Sequence, residues 1–225
     1  GGHPEMRLLN PISAELTDMR PSLLPHLLSA AQRNFDRGYP HTSLFEVGSQ
    51  FHSQDIEGQV TAVAGIRTGL KRERHWQEKP QEVDVYMAKQ DALAVLETCD
   101  VKIKTVQVVP GAPSYYHPGR SGKLCLGPQT LLGYFGEFHP TIIKLFGLKE
   151  RAVGFEIFIN ALPLPRSSQA KPLKLSALQP VSRHFAFIVQ ASTPAGTVVS
   201  AIEKADKVHI QDITIFDVYQ GPGIE

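Results

Sequence analysis

Residues 43–66 read SLFEVGSQFHSQDIEGQVTAVAGI, two β-rich runs over 43–51 and 59–66 with only residues 52–58 between them. So short a connection indicates antiparallel neighbours, because parallel strands need a crossover of about a dozen residues or more. A helix is predicted before this pair, with Ser22 as its cap and Pro25 in its first turn, and it should stop near Gly38. Its apolar face recurs at helical spacing through Leu24, Leu27, Leu28, Ala31 and Phe35.

The rest of the chain alternates between strand-like and helix-like patterns. Helices are predicted over 83–99 and 141–146, strands over 101–109, 123–126, 131–138 and 153–160, and a loop over 115–121. After a proline-rich stretch, a predicted strand (184–190), helix (194–204) and strand (209–220) form the opening of a split βαβ domain. Many adjacent strands with few crossover helices indicate an α+β fold with a mostly antiparallel sheet.

The composition is that of a globular protein, with 42% hydrophobic and 20% charged residues. Twenty-three basic against 22 acidic residues leave a net charge of +1, which argues against a protein that grips nucleic acid with its whole surface. The charged run at 71–75 is either a solvated loop or a local RNA-facing patch. Cys99 and Cys125 are predicted to be reduced thiols in a cytoplasmic protein. No apolar run approaches the roughly 18 residues of a membrane span, so we expect no membrane association.

The sequence carries none of the common catalytic signatures: no dinucleotide or phosphate-binding glycine loop, no zinc-protease motif and no nucleophile elbow. His117 and His139 each precede a proline, which favours a fixed turn over a metal ligand. Glu137 and His139 lie two apart on a predicted strand and could form an acid/base pair, against the alternative of a structural turn. The residue chemistry by itself therefore predicts an α+β domain without a visible active site.

Several motifs, in order along essentially the whole chain, closely resemble the bacterial phenylalanyl-tRNA synthetase β-subunit family. They lie at residues 10–13, 19–25, 34, 37, 44–48, 116–121, 133–140, 183–189 and 215–219. The resemblance implies a class II aminoacyl-tRNA synthetase-like antiparallel sheet with flanking helices over residues 1–163. It also implies a proline-rich linker over 164–180 and the first half of a ferredoxin-like anticodon-binding domain over 181–225. Because the chain has no initiator methionine and ends in turn-forming residues, we expect a piece of a longer protein.

In this family the enzyme is an (αβ)₂ heterotetramer whose α subunit uses ATP and Mg²⁺ to charge tRNA(Phe) with phenylalanine. A working class II site places one arginine on the strand after the first helix and another after a glycine-rich strand, and both bind phosphate. Here the first strand reads LFEVG at 44–48 and the last reads GFEIFINAL at 154–162, without either arginine. The resemblance therefore implies a non-catalytic copy that supports the α subunit, with no catalytic, cofactor-binding or metal-binding residue of its own.

Two small sets of residues are candidates for binding partners. Arg183 and Tyr219, in the anticodon-binding half, are predicted to contact tRNA. The Leu24, Leu27 and Leu28 side of the first helix is predicted to be partly an interface with the α subunit, with ordinary core as the alternative. Two other functions stay open: a stand-alone RNA-binding protein, and a small-molecule enzyme using Glu137 and His139.

Overall fold

The computed structural model describes residues 4–14, 16–73, 75–163 and 178–223. The chain divides into two compact units, Gly1–Ser167 and Ser168–Glu225. The helices are α1 (Leu24–Asp36), α2 (Val85–Thr98), α3 (Pro140–Leu145) and α4 (Ala195–Ala205). The strands are β1 (Ser43–Phe51), β2 (Gln59–Thr68), β3 (Leu70–Arg72), β4 (Gln81–Glu82), β5 (Val106–Val109), β6 (Tyr116–Leu126), β7 (Thr130–Phe138) and β8 (Ala152–Phe158).

Six strands of the first unit form one antiparallel sheet in the order β1-β2-β8-β7-β6-β5, and β3 pairs with β4 in a separate hairpin. Successive side chains of β8 point to opposite faces of the sheet. Ala152 and Phe158 pack with α1, whereas Val153, Phe155 and Ile157 pack with α2. The sheet thus has a hydrophobic core on each face, one under α1 and one under α2.

The predicted first helix and the strand pair after it are confirmed. Helix α1 begins at Leu24, has Pro25 in its first turn and ends at Asp36, two residues before Gly38 adopts a left-handed φ of 89°. The N-cap position is Leu23, not the predicted Ser22, and it makes no side-chain capping hydrogen bond; the Ser22 hydroxyl, one residue earlier, accepts from the Leu24 amide at 3.1 Å. Strands β1 and β2 pair antiparallel from Ser43↔Arg67 to Phe51↔Gln59.

Two local predictions in the first unit are wrong. The strand predicted over 101–109 is a single 3₁₀ turn at Ile103–Thr105 followed by β5, so only its second half pairs. The loop predicted over 115–121 is mostly the first half of β6, despite Pro118. The β6–β7 register shifts between Tyr116 and Ser121, and an irregular ladder of this kind accommodates a proline that has no amide to donate.

The second unit contains α4, as predicted, but residues 184–190 and 209–220 form no β-ladder in the part of the chain that the structure describes. The predicted strands are therefore wrong. In a split βαβ arrangement the first two strands are not neighbours, because the third strand lies between them. The rings of His184 and Phe216 still approach to 4.9 Å between centroids, so the two segments are close although they are not paired. The predicted linker at 164–180 falls mostly on residues 164–177, outside the described residues.

None of the described helices is long and apolar enough to cross a membrane.

Candidate functional site

A buried carboxylate lies on the α1 face of the central sheet. Glu156, on β8, is only 2% exposed. Its Oε1 accepts hydrogen bonds from Ser22 Oγ at 2.5 Å and from Gln50 Nε2 at 3.0 Å, and its Oε2 accepts one from Tyr115 Oη at 2.8 Å. These three donors come from three separate segments: the turn before α1, strand β1 and the turn before β6. We call Glu156, Ser22, Gln50 and Tyr115 the Glu156 cluster.

The turn before α1 is fastened to the sheet by two of its side chains. Ser22 binds Glu156, and Arg20 reaches β1, where its Nε donates to the Ser49 carbonyl at 3.0 Å and its Nη1 to Glu46 Oε1 at 2.5 Å. The guanidinium of Arg20 crosses directly over Gly48, where a Cβ atom would collide with it. The motif at 19–25 and the glycine of the motif at 44–48 therefore serve one contact between α1 and β1.

The same environment keeps the neighbouring tyrosines neutral. Burial, followed by the charge of Glu156, raises the pKa of Tyr115 and of Tyr116 well above the ordinary value of about 10. A hydrogen bond to Glu156 also raises the pKa of Tyr115. The Tyr116 hydroxyl is buried and has no hydrogen-bond partner among the described residues. Tyr116 is thus held by packing, and its ring stacks on Phe138 at 5.3 Å between centroids.

Arginines on and beside the sheet are occupied by carboxylates. Arg67, on β2, forms a bidentate pair with Asp91 on α2, at 2.6 and 2.9 Å. Glu137, on β7, lies between two arginines, 3.3 Å from Arg120 and 3.7 Å from Arg151. A guanidinium with a carboxylate already in place is a poor ligand for phosphate, because the two anions compete for the same donors.

The candidate histidines have structural contacts. His139 is the N-cap of α3, and its Nδ1 accepts from the Thr141 amide at 3.2 Å. Nδ1 of His117 accepts from the Gly119 amide at 3.1 Å. Since Glu137 is engaged by Arg120 and Arg151, the structure supports the turn alternative over an acid/base pair. Among the described residues, no group of three or more His, Cys, Asp or Glu side chains is arranged to hold a metal ion.

The three leucines predicted at a subunit interface are buried within this chain. Leu24, Leu27 and Leu28 pack in the core between α1 and the sheet, which is the alternative that the sequence left open. An α-subunit contact in this region stays a prediction. Phe45 and Val47, on the edge strand β1, are 76% and 58% exposed. They alternate with Leu44 and Glu46, which face α1, and so lie on the opposite face of the sheet.

Arg183 and Tyr219 are exposed side chains of the second unit. Arg183 donates to the Ser182 carbonyl at 3.1 Å, and the Tyr219 hydroxyl donates to the Pro222 carbonyl at 3.2 Å. Both contacts are to backbone nearby in the sequence, which leaves the charge of Arg183 and the ring face of Tyr219 available. Their role in binding tRNA stays a prediction.

The Glu156 cluster was not predicted from the sequence, although the sequence carries a signal for it. Strand β8 reads AVGFEIF, an apolar run with a single charged residue near its centre. A central strand covered on both faces has no solvent-facing side, so a glutamate there must find hydrogen-bond donors inside the protein. Which residues supply them depends on three segments far apart in the sequence.

Comparison with known proteins agrees with this architecture. Residues 2–159 match the phenylalanyl tRNA synthetase beta chain CLM domain, and residues 176–225 match the ferredoxin-fold anticodon binding domain. Together the two matches define a component of an aminoacyl-tRNA synthetase. The chain belongs to the phenylalanyl-tRNA synthetase beta chain family, which confirms the resemblance found in the sequence.

Two relatives are named phenylalanine–tRNA ligase beta subunits. The one from Rhodospirillum rubrum is 45% identical over 228 residues, which cover 100% of this chain and 28% of that protein. The one from Paramagnetospirillum magneticum is 46% identical over 224 residues, covering 98% and 28%. The chain thus spans about 28% of the length of these relatives. A solved pyrrolysyl-tRNA synthetase from Desulfitobacterium hafniense superposes with a TM-score of 0.49 at 16% identity, covering 67% of this chain and 50% of its own, too distant to inform function.

Replacing Glu156 by alanine is expected to lower the free energy of unfolding by about 3 kcal/mol or more. The substitution leaves the buried Gln50 amide and the half-buried hydroxyls of Ser22 and Tyr115 without their acceptor, and each such loss costs roughly 1–3 kcal/mol. The matched control is Glu46→Ala, which removes a half-exposed ion pair worth at most about 1 kcal/mol. Urea unfolding followed by circular dichroism measures both, and equal losses in the two variants would contradict a special role for the Glu156 cluster.

Stability is expected to fall as the pH rises above about 10, the ordinary tyrosine pKa. Above that pH the unfolded chain releases protons that folded Tyr115 and Tyr116 retain. Because the folded state then binds more protons than the unfolded state, the free energy of unfolding decreases as the pH rises. In Tyr115→Phe this fall should be shallower, whereas Tyr86→Phe, at a position 73% exposed, should leave it unchanged. Urea unfolding at pH 8, 10 and 11 makes the comparison, and the same slope in wild type and Tyr115→Phe would show that Tyr115 ionises normally.

Proposed function

We propose that this chain is a non-catalytic part of the β subunit of a phenylalanine–tRNA ligase, supporting the catalytic α subunit and helping to place tRNA(Phe) for charging. One observation carries the proposal: the polar groups on the α1 face of the sheet are used to hold the fold together. The only carboxylate of β8 is saturated by Ser22, Gln50 and Tyr115, and Arg20, which reaches β1 from the turn before α1, is held by Glu46. Polar side chains that are already paired with one another on this face are poorly available to bind a substrate.

We further propose that the sheet is a degenerate class II synthetase module. Where the resemblance implies a phosphate-binding arginine after the first helix, β1 carries Glu46, and the adjacent Arg20 comes from the turn before α1. A triphosphate approaching this strand would meet the carboxylate of Glu46 and an arginine that this carboxylate already holds. ATP and Mg²⁺ would then be bound by the α subunit of an (αβ)₂ cytoplasmic enzyme.

The two units would divide the supporting role. The first unit would bind the α subunit near the exposed edge of β1, and the second would contact tRNA through Arg183 and Tyr219. Arginine suits the phosphate backbone and a tyrosine ring can stack on a base, so these residue types fit an RNA partner. A stand-alone RNA-binding protein is not supported, since both domain matches are to parts of a synthetase.

The chain without the α subunit is expected neither to bind ATP at micromolar concentration nor to exchange pyrophosphate with ATP in the presence of phenylalanine. The physical reason is that Arg20 and Arg67, the described arginines that contact β1, are each paired with a carboxylate. Isothermal titration calorimetry tests binding, and the ligase containing the α subunit is the positive control. Micromolar binding by the chain that is lost on replacing a residue within 1–163 would overturn the non-catalytic assignment.

Association with the α subunit is expected to require the edge of β1. Replacing Phe45 and Val47 by serine should weaken the complex about tenfold or more, because exposed aromatic and aliphatic anchors dominate interface energies. Tyr86→Ser, on α2, is the matched exposed control. Without the α subunit the same edge should promote self-association, which co-expression with the α subunit should suppress. Light scattering that shows a clean monomer with and without the α subunit would contradict this surface.

A further inference from the structure

The hairpin of β3 and β4 displays a side chain that the proposed function does not use. The hairpin pairs Leu70 with Glu82 and Arg72 with Gln81. The loop between the two strands holds Trp76, the single tryptophan of the chain. Its side chain is 86% exposed. Tryptophan gains more free energy from burial than most residues, so an indole left almost entirely in water suggests a surface that is covered by a ligand.

Ion pairs anchor the base of this hairpin. Arg72 and Glu78 form a salt bridge across the loop that carries Trp76. Arg151, immediately before β8, lies 3.4 Å from Glu82 and ties the second strand of the hairpin to the main sheet. Trp76 therefore stands on a loop that is fastened at its base.

The same ion pairs leave a positive balance around the indole. Glu78 and Glu82 are each neutralised by an arginine. Lys71 and Lys79 have no ion pair in the described part of the chain and are opposed by one further carboxylate, that of Glu73. Lys71 and Lys79 flank Trp76 in the sequence of this hairpin. Lysines close to an exposed aromatic residue are a combination that binds a nucleic acid strand, with phosphates on the cations and a base on the ring.

Beside Trp76 the loop encloses an open cleft of about 480 Å³, lined by Arg72, Glu73, His75, Gln77 and Glu78. Amide and imidazole groups can both donate to and accept from the edge of a base, and carboxylates can accept from it. The described residues around the indole, 71–73 and 77–82, are charged, polar or proline, and all are exposed. An aromatic residue that anchors a protein partner is instead usually surrounded by apolar residues that exclude water from the contact. The surroundings of Trp76 thus favour RNA over protein.

We propose that the β3–β4 hairpin is an RNA-binding site, in which Trp76 stacks on an unpaired base and Lys71 and Lys79 contact the phosphates beside it. The inference rests on the proposed function, because it takes tRNA as the RNA that this chain meets. An unpaired base is required, since the bases of a duplex already stack on one another and cannot reach the indole. The hairpin lies in the first unit and is separate in sequence from Arg183 and Tyr219.

The experiment uses the chain and a transcript of tRNA(Phe), at one fixed salt concentration. Since Trp76 is the only tryptophan, its fluorescence reports this site alone, and titration with the transcript should quench it. Trp76→Ala should weaken binding, measured by anisotropy of labelled tRNA, by roughly 5- to 150-fold, the range for loss of one stacked base. Tyr86→Ala, another exposed aromatic of the first unit, should have no effect. A fully paired RNA duplex should not quench the indole.

Two lysine variants test whether the cations of the hairpin contact RNA phosphates. Lys71→Ala and Lys79→Ala should each lower the slope of log affinity against log salt by about 0.7. If Arg183→Ala weakens tRNA binding while Trp76→Ala does not and no quenching occurs, the hairpin inference is overturned and the proposed function stands. If Trp76→Ala instead weakens binding of the α subunit, the hairpin is a protein contact and the inference is likewise overturned. If neither the chain nor the complete ligase binds the transcript, the proposed function fails along with the inference.

Discussion

The carboxylate of Glu156 constrains the first unit more than any other group. A charge buried in a central strand is tolerated only when its oxygens are hydrogen-bonded, and here the donors are Ser22, Gln50 and Tyr115. Each donor belongs to a different segment, so satisfying one carboxylate sets where α1 begins, where β1 lies and how the chain enters β6. The apolar cores above and below the sheet supply most of the stabilising free energy, but they are less specific about position.

Ion pairs between arginines and carboxylates add a second set of contacts that hold this sheet and its helices together. An arginine that binds phosphate must be available to the ligand, whereas Arg20 and Arg67 are held by Glu46 and Asp91. The pairs that occupy these arginines also join α1 to β1 and α2 to β2. An arginine that is paired with a carboxylate in this way stabilises the fold and has fewer donors available to a ligand.

The two units illustrate opposite outcomes of strand pairing. In the first unit six strands form a continuous antiparallel ladder, and β1 is left at one edge with Phe45 exposed. In the second unit, the segments at 184–190 and 209–220 have the composition of strands and no ladder among the described residues. A β-strand is stabilised by pairing with a neighbouring strand. Residues with high β-propensity therefore form no sheet where no neighbouring strand pairs with them.

The sequence by itself determined the antiparallel α+β class, the bounds of α1 and the β1–β2 pair, and the family, because these depend on local periodicity, short connections and motifs in order. It did not reveal that Leu24, Leu27 and Leu28 are core, since an apolar helix face looks the same whether it meets its own sheet or another subunit. The tertiary structure alone decided the partners of Glu156, the pairing of Glu137 with Arg120 and Arg151, and the absence of a β-ladder in the described residues 181–223. Each of these depends on which distant segments meet in space, and residue spacing along the chain carries no information about that.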